Sequence, residues 1–286
     1  MLSNKVSEIM TTNLTTASVA SSIQEVLEMM VTVDVGRVIV TNKEVPVGIF
    51  TEKDVMRRVI NNNRDPRKST IKEVMTSPIR AVREETHIVE AFGKMYRGKY
   101  RHLLVRGKRG KIVGIVSMRR ILGLAVELGQ GMSETKTLGS LVSGGVLSVD
   151  ESSSVYETID LMIQRGVASI VVSVAGKPRG IFTERDVLKR VAAKGIDTRK
   201  TQVKEVMTSP LVTMADTALI GEALTEMYKR DIRNMPVVAA GGELIGILSM
   251  PDILQYAAAF NIDERVRQNW KEVQEYYDSE DQYTPG

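Results

Sequence analysis

The sequence contains no cysteine, only two histidines and one tryptophan, and aromatic residues make up 5% of its 286 positions. The absence of cysteine excludes disulfide bonds, thiol nucleophiles and thiolate metal ligands. No recurring carboxylate pair stands next to a base, and no glycine-rich phosphate loop precedes a helix. We therefore expect no catalytic residues, no metal site and no cofactor acting as a catalyst.

Long hydrophobic runs are also absent. No apolar stretch approaches the roughly 20 residues that cross a bilayer, and Met1 to Lys5 lack the apolar core of a secretory signal. Hydrophobic residues still make up 43% of the chain and charged residues 26%, which is ordinary for a globular protein with packed cores. The sequence predicts a cytoplasmic protein that does not span a membrane.

The chain does contain a duplication with a constant offset of 132 residues. Gly48–Val55 returns as Gly180–Val187 with one difference, and Lys72–Pro78 returns unchanged as Lys204–Pro210. Offsets of 65 and 66 residues divide each half again. A single repeat of this length is marginal as an independent domain, so we expect repeats to share cores. The four repeats and the tail that follows them span residues 5–62, 71–130, 137–195, 203–260 and 261–286.

Each repeat predicts a short strand, a helix, two strands and a second helix. In repeat 4, Asp216 is the expected N-cap of a helix with apolar positions from Leu219 to Met227. Met235–Val238 and Leu244–Leu248 are expected to form an antiparallel pair. His87 occupies the position of Leu219 and is predicted to be a packed or boundary histidine on that helix face. Three methionines that precede a threonine are expected to fill the core, with the threonine satisfying local backbone: Met10, Met75 and Met207.

A small hydroxyl and a carboxylate recur where the second strand of a repeat runs into its last helix. The pairs are Thr51 with Asp54, Thr183 with Asp186, and Ser249 with Asp252. One interpretation is a helix cap, because both groups accept hydrogen bonds from free N–H groups. The other is a ribose site, in which the carboxylate accepts the two ribose hydroxyls and the helix start meets a phosphate.

The Val-Met-Thr element, the two-strand hairpin and Gly-Ile-Phe-Thr-Glu-Arg-Asp-Val resemble the cystathionine-β-synthase-type (CBS) domain. The resemblance implies an α/β (α+β) fold of four tandem CBS domains, each a small β-sheet with two flanking helices. Consecutive domains would pair into two Bateman modules forming a disk, a layout similar to that of the gamma subunit of AMP-activated kinase. Clefts in such modules bind adenosine-containing ligands, so AMP, ADP or ATP is implied as a regulatory ligand, with NAD and S-adenosylmethionine left open.

The resemblance also implies roles for individual residues. The ribose contacts would be Thr51, Asp54, Thr183, Asp186, Ser249 and Asp252. The phosphate contacts would be Arg37, Lys53, Arg101, His102, Arg120, Arg185 and Arg233. The base contacts would be Thr16, Ile79, Ser148, Leu211, Thr213, Met235 and Pro236.

Repeat 2 departs from the pattern, because Arg120 stands where the other repeats carry Asp. A guanidinium cannot accept hydrogen bonds from ribose hydroxyls. We expect that site to be empty or changed to take an anion, or its arginines to reach a neighbouring cleft. Up to three nucleotide sites are therefore expected, with Asp252 the strongest candidate.

Charge is distributed unevenly along the chain. Residues 1–132 carry 22 Lys and Arg against 13 Asp and Glu, and residues 133–264 carry 14 against 17. Between Ala91 and Val126 there are ten basic residues and no acidic one, interleaved with Phe92, Tyr96 and Tyr100. Such a stretch is either a solvated surface or a patch that attracts polyanions. Binding of DNA or RNA by repeat 2, with or without modulation by nucleotide, is thus an alternative function, and a purely structural scaffold is the third.

The tail carries apolar residues at helical spacing: Ile262, Val266, Trp270, Val273 and Tyr277. This stripe predicts a helix that packs on the repeats or on a second copy, or that docks another protein. Taken together, the sequence predicts a non-catalytic sensor of adenine nucleotides that acts on an unknown protein target. It would be a monomeric disk or a homodimer, with nucleotide sensing chiefly in the second half.

Overall fold

The computed structural model describes residues 5–98, 100–127, 136–142, 146–250 and 252–253. The chain forms two compact units. The larger unit comprises residues 1–120 and 146–212, and the smaller unit comprises residues 121–145 and 213–286. The predicted tail helix lies outside the described residues.

The described strands form four separate three-stranded sheets, one for each repeat. In every sheet the first strand runs parallel to the second, and the second runs antiparallel to the third. This mixed topology confirms the predicted α+β class. The strands are β1 (Thr16–Ser18), β2 (Arg37–Asn42), β3 (Val45–Thr51), β4 (Ala81–Arg83), β5 (His102–Arg106), β6 (Ile112–Ser117), β7 (Ser148–Asp150), β8 (Ser169–Val174), β9 (Lys177–Thr183), β10 (Met214–Ala215), β11 (Asn234–Val238) and β12 (Leu244–Ser249).

In the described residues, helices connect and follow these strands in the predicted order. Apart from residues 252–253, the second helix predicted for repeat 4 lies outside the described residues. The helices are α1 (Ile23–Thr32), α2 (Glu52–Asp54), α3 (Ile88–Gly98), α4 (Met118–Glu127), α5 (Val155–Arg165), α6 (Glu184–Asp186) and α7 (Ile220–Lys229). The short helices α2 and α6 continue directly as π-helical segments, Val55–Ile60 and Val187–Ala192. A 3-10 turn opens each repeat, at Val6–Glu8, Ile71–Glu73, Leu138–Ser140 and Val203–Glu205.

The starts of α1, α3, α5 and α7 are equivalent positions with different chemistry. The Ser22 and Ser154 side chains accept hydrogen bonds from the third helical N–H group, as N-caps do. His87 precedes α3 rather than lying on its apolar face, and its Nδ1 accepts from the Val89 N–H at 3.3 Å. His87 is half-buried, so the prediction of a boundary histidine is right although its place on the helix is wrong.

The prediction that Asp216 caps α7 is also wrong. The N-cap of α7 is Leu219, which has no side-chain acceptor, and its N–H donates to Glu222. Asp216 lies too early because its own N–H still bonds to the Val238 carbonyl at 2.9 Å, which prolongs the pairing of β10 with β11. The chain then turns at Ala218 before the helix begins.

Repeats 1 and 2 exchange their Met-Thr segments. Thr11 bridges to Ile115 in β6, and Thr76 bridges to Ile49 in β3. The Met75 sulfur lies over Gly48, where a β-carbon would come within 2.4 Å of it, so glycine is required for this close approach. Met10 and Met207 lie over glycines of β6 and β9 in the same way. The three methionines are half-buried packing residues, close to the prediction.

One hydrophobic core of the larger unit is continuous between repeats 1 and 3. The π-helical segment Val187–Ala192 packs against both α1 and the π-helical segment Val55–Ile60. Fully buried side chains such as Phe50 and Phe182 occupy equivalent places in it. The pairing of repeats 1 and 3 therefore joins the two halves of the duplication within one unit.

Candidate functional site

Asp54 lies where β3 runs into α2, and only 7% of it is exposed. Its Oδ2 accepts hydrogen bonds from the Thr51 backbone nitrogen and hydroxyl, at 2.9 and 2.7 Å. Its Oδ1 accepts from the hydroxyl of Thr76, in repeat 2, at 2.9 Å and lies 3.5 Å from the Arg58 Nε. The carboxylate therefore caps its own helix and joins two repeats at once.

Asp186 repeats this arrangement in repeat 3. Its Oδ2 accepts from the Thr183 nitrogen and hydroxyl at 2.9 and 2.6 Å, and its Oδ1 accepts from Thr208 at 3.0 Å. Burial raises the pKa of Asp186 above its ordinary value, against the opposing effects of the Thr183 and Thr208 hydrogen bonds and of the Arg190 charge. Folding thus makes this carboxylate harder to ionise.

Asp252, in the smaller unit, is the exposed member of the set. The Ser249 nitrogen and hydroxyl donate to its Oδ2 at 2.8 and 2.5 Å. In the part of the chain that the structure describes, no group donates to the second oxygen, Oδ1. An oriented carboxylate with one open oxygen can accept hydrogen bonds from a ligand without breaking internal ones.

Ser117 and Arg120 occupy the equivalent place in repeat 2. The Ser117 hydroxyl accepts from the Arg120 N–H at 3.2 Å, so the backbone cap is kept. The carboxylate is replaced by a half-buried guanidinium that can only donate. This geometry keeps the helix start but removes the acceptor that a ribose needs.

Strand register brings predicted phosphate contacts next to predicted ribose contacts. Arg37 pairs directly with Thr51 across β2 and β3, and His102 pairs with Ser117 across β5 and β6. Side chains directly opposite on an antiparallel pair share one face and lie about 5 Å apart at Cβ. In repeat 4, Arg233 precedes Asn234, which pairs with Ser249, and the Arg233 carbonyl accepts from the Met250 N–H at 3.1 Å.

Three predicted phosphate contacts lie beside the contact of α2 with α6. Arg101 Nη2 lies 2.6 Å from the Glu184 Oε2, and Arg185 Nε lies 3.5 Å from the Glu52 Oε1. Both glutamates are buried, so each ion pair neutralises a charge that water reaches poorly. The pKa of Lys53 is lowered, first by loss of hydration and then by the charges of Arg57 and Arg101. These cations thus form a group around two buried carboxylates.

The predicted base contacts lie at and before the first strands, with two exceptions. Thr16 and Ser148 open β1 and β7 and are exposed, and Thr213 is exposed just before β10. Ile79 and Leu211 are half-buried in the segments that lead to β4 and β10. Met235 and Pro236 differ, because both are buried within β11.

The sequence reasoning missed several residues that shape this site. We expected the hydroxyls of Thr76 and Thr208 to satisfy local backbone. Instead they donate hydrogen bonds to the carboxylates of Asp54 and Asp186. The others missed are the arginines beside those carboxylates and the glutamates of the α2–α6 contact: Arg58, Arg190, Glu52 and Glu184. The 132-residue offset relates all of these in pairs, and that recurrence was the available signal.

The basic stretch of repeat 2 is less uniform in space than in sequence. Lys94 Nζ lies 2.7 Å from Glu90, and Arg101 is paired with Glu184. The remaining strongly basic feature is the turn between β5 and β6. It presents four exposed cations, without an ion pair to any described residue: Arg106, Lys108, Arg109 and Lys111. We call these residues the basic turn.

Two other kinds of feature are missing from the described ranges. Among the described residues, no cluster of three or more metal-ligating side chains occurs. The described helices include none with the length and hydrophobicity needed to span a membrane.

Similarity to known proteins extends over all four repeats. A profile of the CBS domain matches residues 6–61, 71–127, 138–193 and 203–259. The CBS domain-containing protein CBSCBSPB1 of Arabidopsis thaliana is 26% identical over 283 residues, which cover 85% of this chain and 52% of that protein. An uncharacterized 33.4 kDa protein of the Thermofilum pendens ribosomal RNA operon is 31% identical over 204 residues, 67% of each chain.

The fold has a solved counterpart. The crystal structure of MJ1225 from Methanocaldococcus jannaschii, described as a proposed archaeal homologue of g-AMPK, superposes with a TM-score of 0.76. It is 16% identical, and the match covers 88% of this chain and 99% of that one. The chain spans about half the length of the Arabidopsis thaliana relatives that it matches. With four profile matches and four sheets of one topology, the chain belongs to the CBS domain family.

Proposed function

We propose that this protein is a regulatory sensor that binds AMP, ADP or ATP through its hydroxyl–carboxylate pairs and has no catalysis of its own. A partner protein would respond to nucleotide occupancy. Two findings support the proposal: the chain belongs to the CBS domain family, and in three repeats a Thr or Ser hydroxyl donates to an Asp carboxylate and orients it. Arg37 and Arg233 are the basic groups nearest in register to these pairs.

The main observation behind the proposal is that only one of the two carboxylate oxygens of Asp252 accepts hydrogen bonds from the described residues. Ser249 holds one oxygen of its carboxylate, and the described residues leave the other open on an exposed surface. At Asp54 and Asp186, threonines from the following repeat already occupy the second oxygen. A ribose would compete with those hydroxyls, so we expect the Asp252 site to fill at the lowest nucleotide concentration.

The test is a calorimetric and thermal-shift titration of protein freed of carried-over nucleotide. The ligands are AMP, ADP, ATP, NAD and S-adenosylmethionine. Ligand binding to the folded state should raise the midpoint of thermal unfolding as ligand concentration rises. Absence of heat and of any thermal shift with all five ligands would refute the proposal.

Asp252→Ala localises the site. Loss of hydrogen bonds to a charged acceptor costs about 1.5–3 kcal/mol, so the tightest nucleotide affinity should fall roughly 10- to 100-fold. Glu243→Ala is the matched control, because it removes an exposed carboxylate that precedes β12, at the opposite end of the strand from Asp252. It should titrate like the parent, whereas equal loss in both variants would point to a general charge effect.

The basic turn supports a second candidate, binding of DNA or RNA. Arg83 lies directly beside Arg106 in the parallel pairing of β4 and β5, which adds a fifth exposed cation. The corresponding turn of repeat 4, Ala239–Glu243, carries no basic residue. A cluster of exposed cations attracts a phosphate backbone through release of its counterions.

Salt dependence tests this second candidate. Affinity for duplex or single-stranded nucleic acid should fall steeply with salt, and substitution of Arg106, Lys108 and Arg109 by Gln should flatten that dependence. Lys177→Gln, at the exposed first residue of β9 in repeat 3, is the control and should leave the slope unchanged. If nucleic acid does not bind detectably even at low ionic strength, this second function is excluded.

A further inference from the structure

Three methionine side chains lie against a glycine in the third strand of the neighbouring repeat: Met10 against Gly114, Met75 against Gly48 and Met207 against Gly180. In each case the sulfur is the atom nearest to the place where a β-carbon on the glycine would stand. We call these the methionine–glycine contacts. Val142 fills the equivalent place over Gly246, so repeats 3 and 4 also have one such contact without sulfur.

The three contact methionines are more accessible than the methionines of the core. The chain has 15 methionines and no cysteine, so methionine is its only sulfur-containing residue. Met30, Met56 and Met162 are at most 1% exposed, whereas the contact methionines are half-buried. Met29 and Met214 are the other half-buried methionines among the described residues. An oxidant in the solvent therefore reaches the contact methionines before those of the core.

Each contact adjoins a hydrogen-bonded bridge between two repeats. The Thr76 N–H donates to the Ile49 carbonyl at 2.8 Å, and the Ile49 N–H donates back at 3.0 Å. The Thr76 hydroxyl also holds Asp54 Oδ1, and Arg58 donates to the carbonyl of Met75. The packing of Met75 on the strand therefore positions the threonine that occupies the second oxygen of Asp54.

An oxygen atom added to the sulfur would have no free backbone donor at this contact. A β-carbon on Gly180 would lie 2.5 Å from the Met207 sulfur and 2.8 Å from the Thr208 carbonyl oxygen, so both atoms border one small space. That carbonyl already accepts from the Ile181 N–H at 3.0 Å. A sulfoxide oxygen accepts hydrogen bonds and repels another acceptor, and burial of an unpaired polar atom costs free energy. Oxidation should therefore push the Met-Thr segment away from the strand.

We propose that the methionine–glycine contacts are oxidation sites, through which hydrogen peroxide opens the bridges between repeats. The sulfur attacks one peroxide oxygen, and the S–O bond forms as the O–O bond breaks. The proton of the transferred oxygen passes to the departing hydroxide, so the products are methionine sulfoxide and water. Oxidation of Met75 then releases Thr76 from Asp54. Oxidation of Met207 does the same at Asp186, and each carboxylate is left with one open oxygen.

The experiment treats the full chain with hydrogen peroxide and follows each methionine by mass spectrometry of its peptide. We expect the contact methionines to gain an oxygen atom before Met30, Met56 and Met162 do. Hydrogen exchange is then compared between the oxidised and untreated chains. Exchange at the Ile49 and Thr76 amides should accelerate roughly tenfold or more, as expected when a buried polar atom is left without a partner.

Variants locate the effect in one contact. Met75→Val copies the contact that Val142 makes, and Met75→Leu removes the sulfur while it keeps the side-chain volume. In both variants, exchange at Thr76 should no longer respond to peroxide, whereas exchange at Thr208 should still respond. Met29→Leu is the matched control, because it removes a half-buried methionine of α1 that lies outside the contacts. It should respond to peroxide as the parent does.

Four results would overturn the proposal. The first is oxidation of the contact methionines no earlier than that of the fully buried ones. The second is unchanged exchange at the bridges of the oxidised parent, and the third is acceleration at Thr76 that persists in both Met75→Val and Met75→Leu. The fourth is equal acceleration in every segment, which would indicate general unfolding. Since no nucleotide takes part in these measurements, their outcome is independent of the proposed function.

Discussion

At the residue scale, Asp54 and Asp186 each serve two repeats. Thr51 and Thr183 hold one oxygen from within the repeat, and Thr76 and Thr208 hold the other from the next repeat. The local half of this arrangement is readable from the Thr-x-x-Asp spacing, because it is a helix cap. The second half spans 22 residues and depends on which strand the next repeat joins, so spacing alone could not predict it.

Because folding raises the pKa of Asp186, ionisation of this carboxylate lowers the free energy of unfolding. Because folding raises this pKa, the contribution of Asp186 to stability is greatest below its ordinary value of 3.8 and decreases as pH rises through the raised value. Asn at this position keeps an oxygen that can accept from Thr183 but has no charge to desolvate. Asp186→Asn should therefore gain free energy of unfolding, relative to the parent, as pH rises from acid to neutral.

Urea unfolding of both proteins across that pH range measures this difference. The same substitution should weaken any nucleotide site in repeat 3, since the amide replaces one acceptor by a donor. A variant that loses stability relative to the parent as pH rises would show that the ionised carboxylate is stabilising. In that case its hydrogen bonds and Arg190 outweigh its burial.

At the element scale, strand and helix positions follow closely from the sequence. Runs of apolar residues placed β11 and β12 to within one residue of their observed bounds. Helix starts were less predictable. Asp216 had the right chemistry for an N-cap, but its backbone remains bonded to β11. The π-helical continuations of α2 and α6 have no sequence signal that we recognise.

The cap of α3 should be sensitive to pH. His87 Nδ1 accepts from the Val89 N–H, so the cap requires that nitrogen to be unprotonated. Burial lowers the pKa of His87, and Glu90 raises it by less. A lowered pKa means that the contribution to stability is present above the ordinary value of 6.5 and is lost as pH falls through the lowered value.

His87→Ser tests this cap, because serine occupies the same position before α1 and α5 and has no proton to gain. The parent should lose free energy of unfolding between neutral and mildly acid pH, and His87→Ser should lose less. The loss should persist in His102→Asn, which leaves His87 in place and introduces the residue of repeat 4. Equal losses in the parent and in His87→Ser would exclude the cap as the source.

At the scale of the whole molecule, the duplication predicts which parts are equivalent but not which parts touch. Sharing of cores between consecutive repeats was expected from their length, and the exchanged Met-Thr segments confirm that repeats 1 and 2 pair. The continuous core between repeats 1 and 3 could not be predicted in this way, since equal offsets carry no information about contact. It becomes visible only in the apolar residues after Asp54 and Asp186, which are buried against each other.

This shared core predicts that repeats 1 and 3 lose structure together. Leu188 is 1% exposed in the π-helical segment that packs against α1, so Leu188→Ala should lower the free energy of unfolding by about 2–5 kcal/mol. Hydrogen exchange should accelerate in α1 as well as in α5, because the cavity opens toward both repeats. Met56→Ala, at the equivalent position, should give the same pattern.

Leu104→Ala provides the contrast, because Leu104 packs in a separate cluster with Ile39 and Ile115 between repeats 1 and 2. Its cavity should accelerate exchange first in β2 and β6 and leave α5 among the slowest segments. If Leu188→Ala accelerates exchange in repeat 3 alone, the two repeats unfold independently. The coupling of repeats 1 and 3 would then be absent.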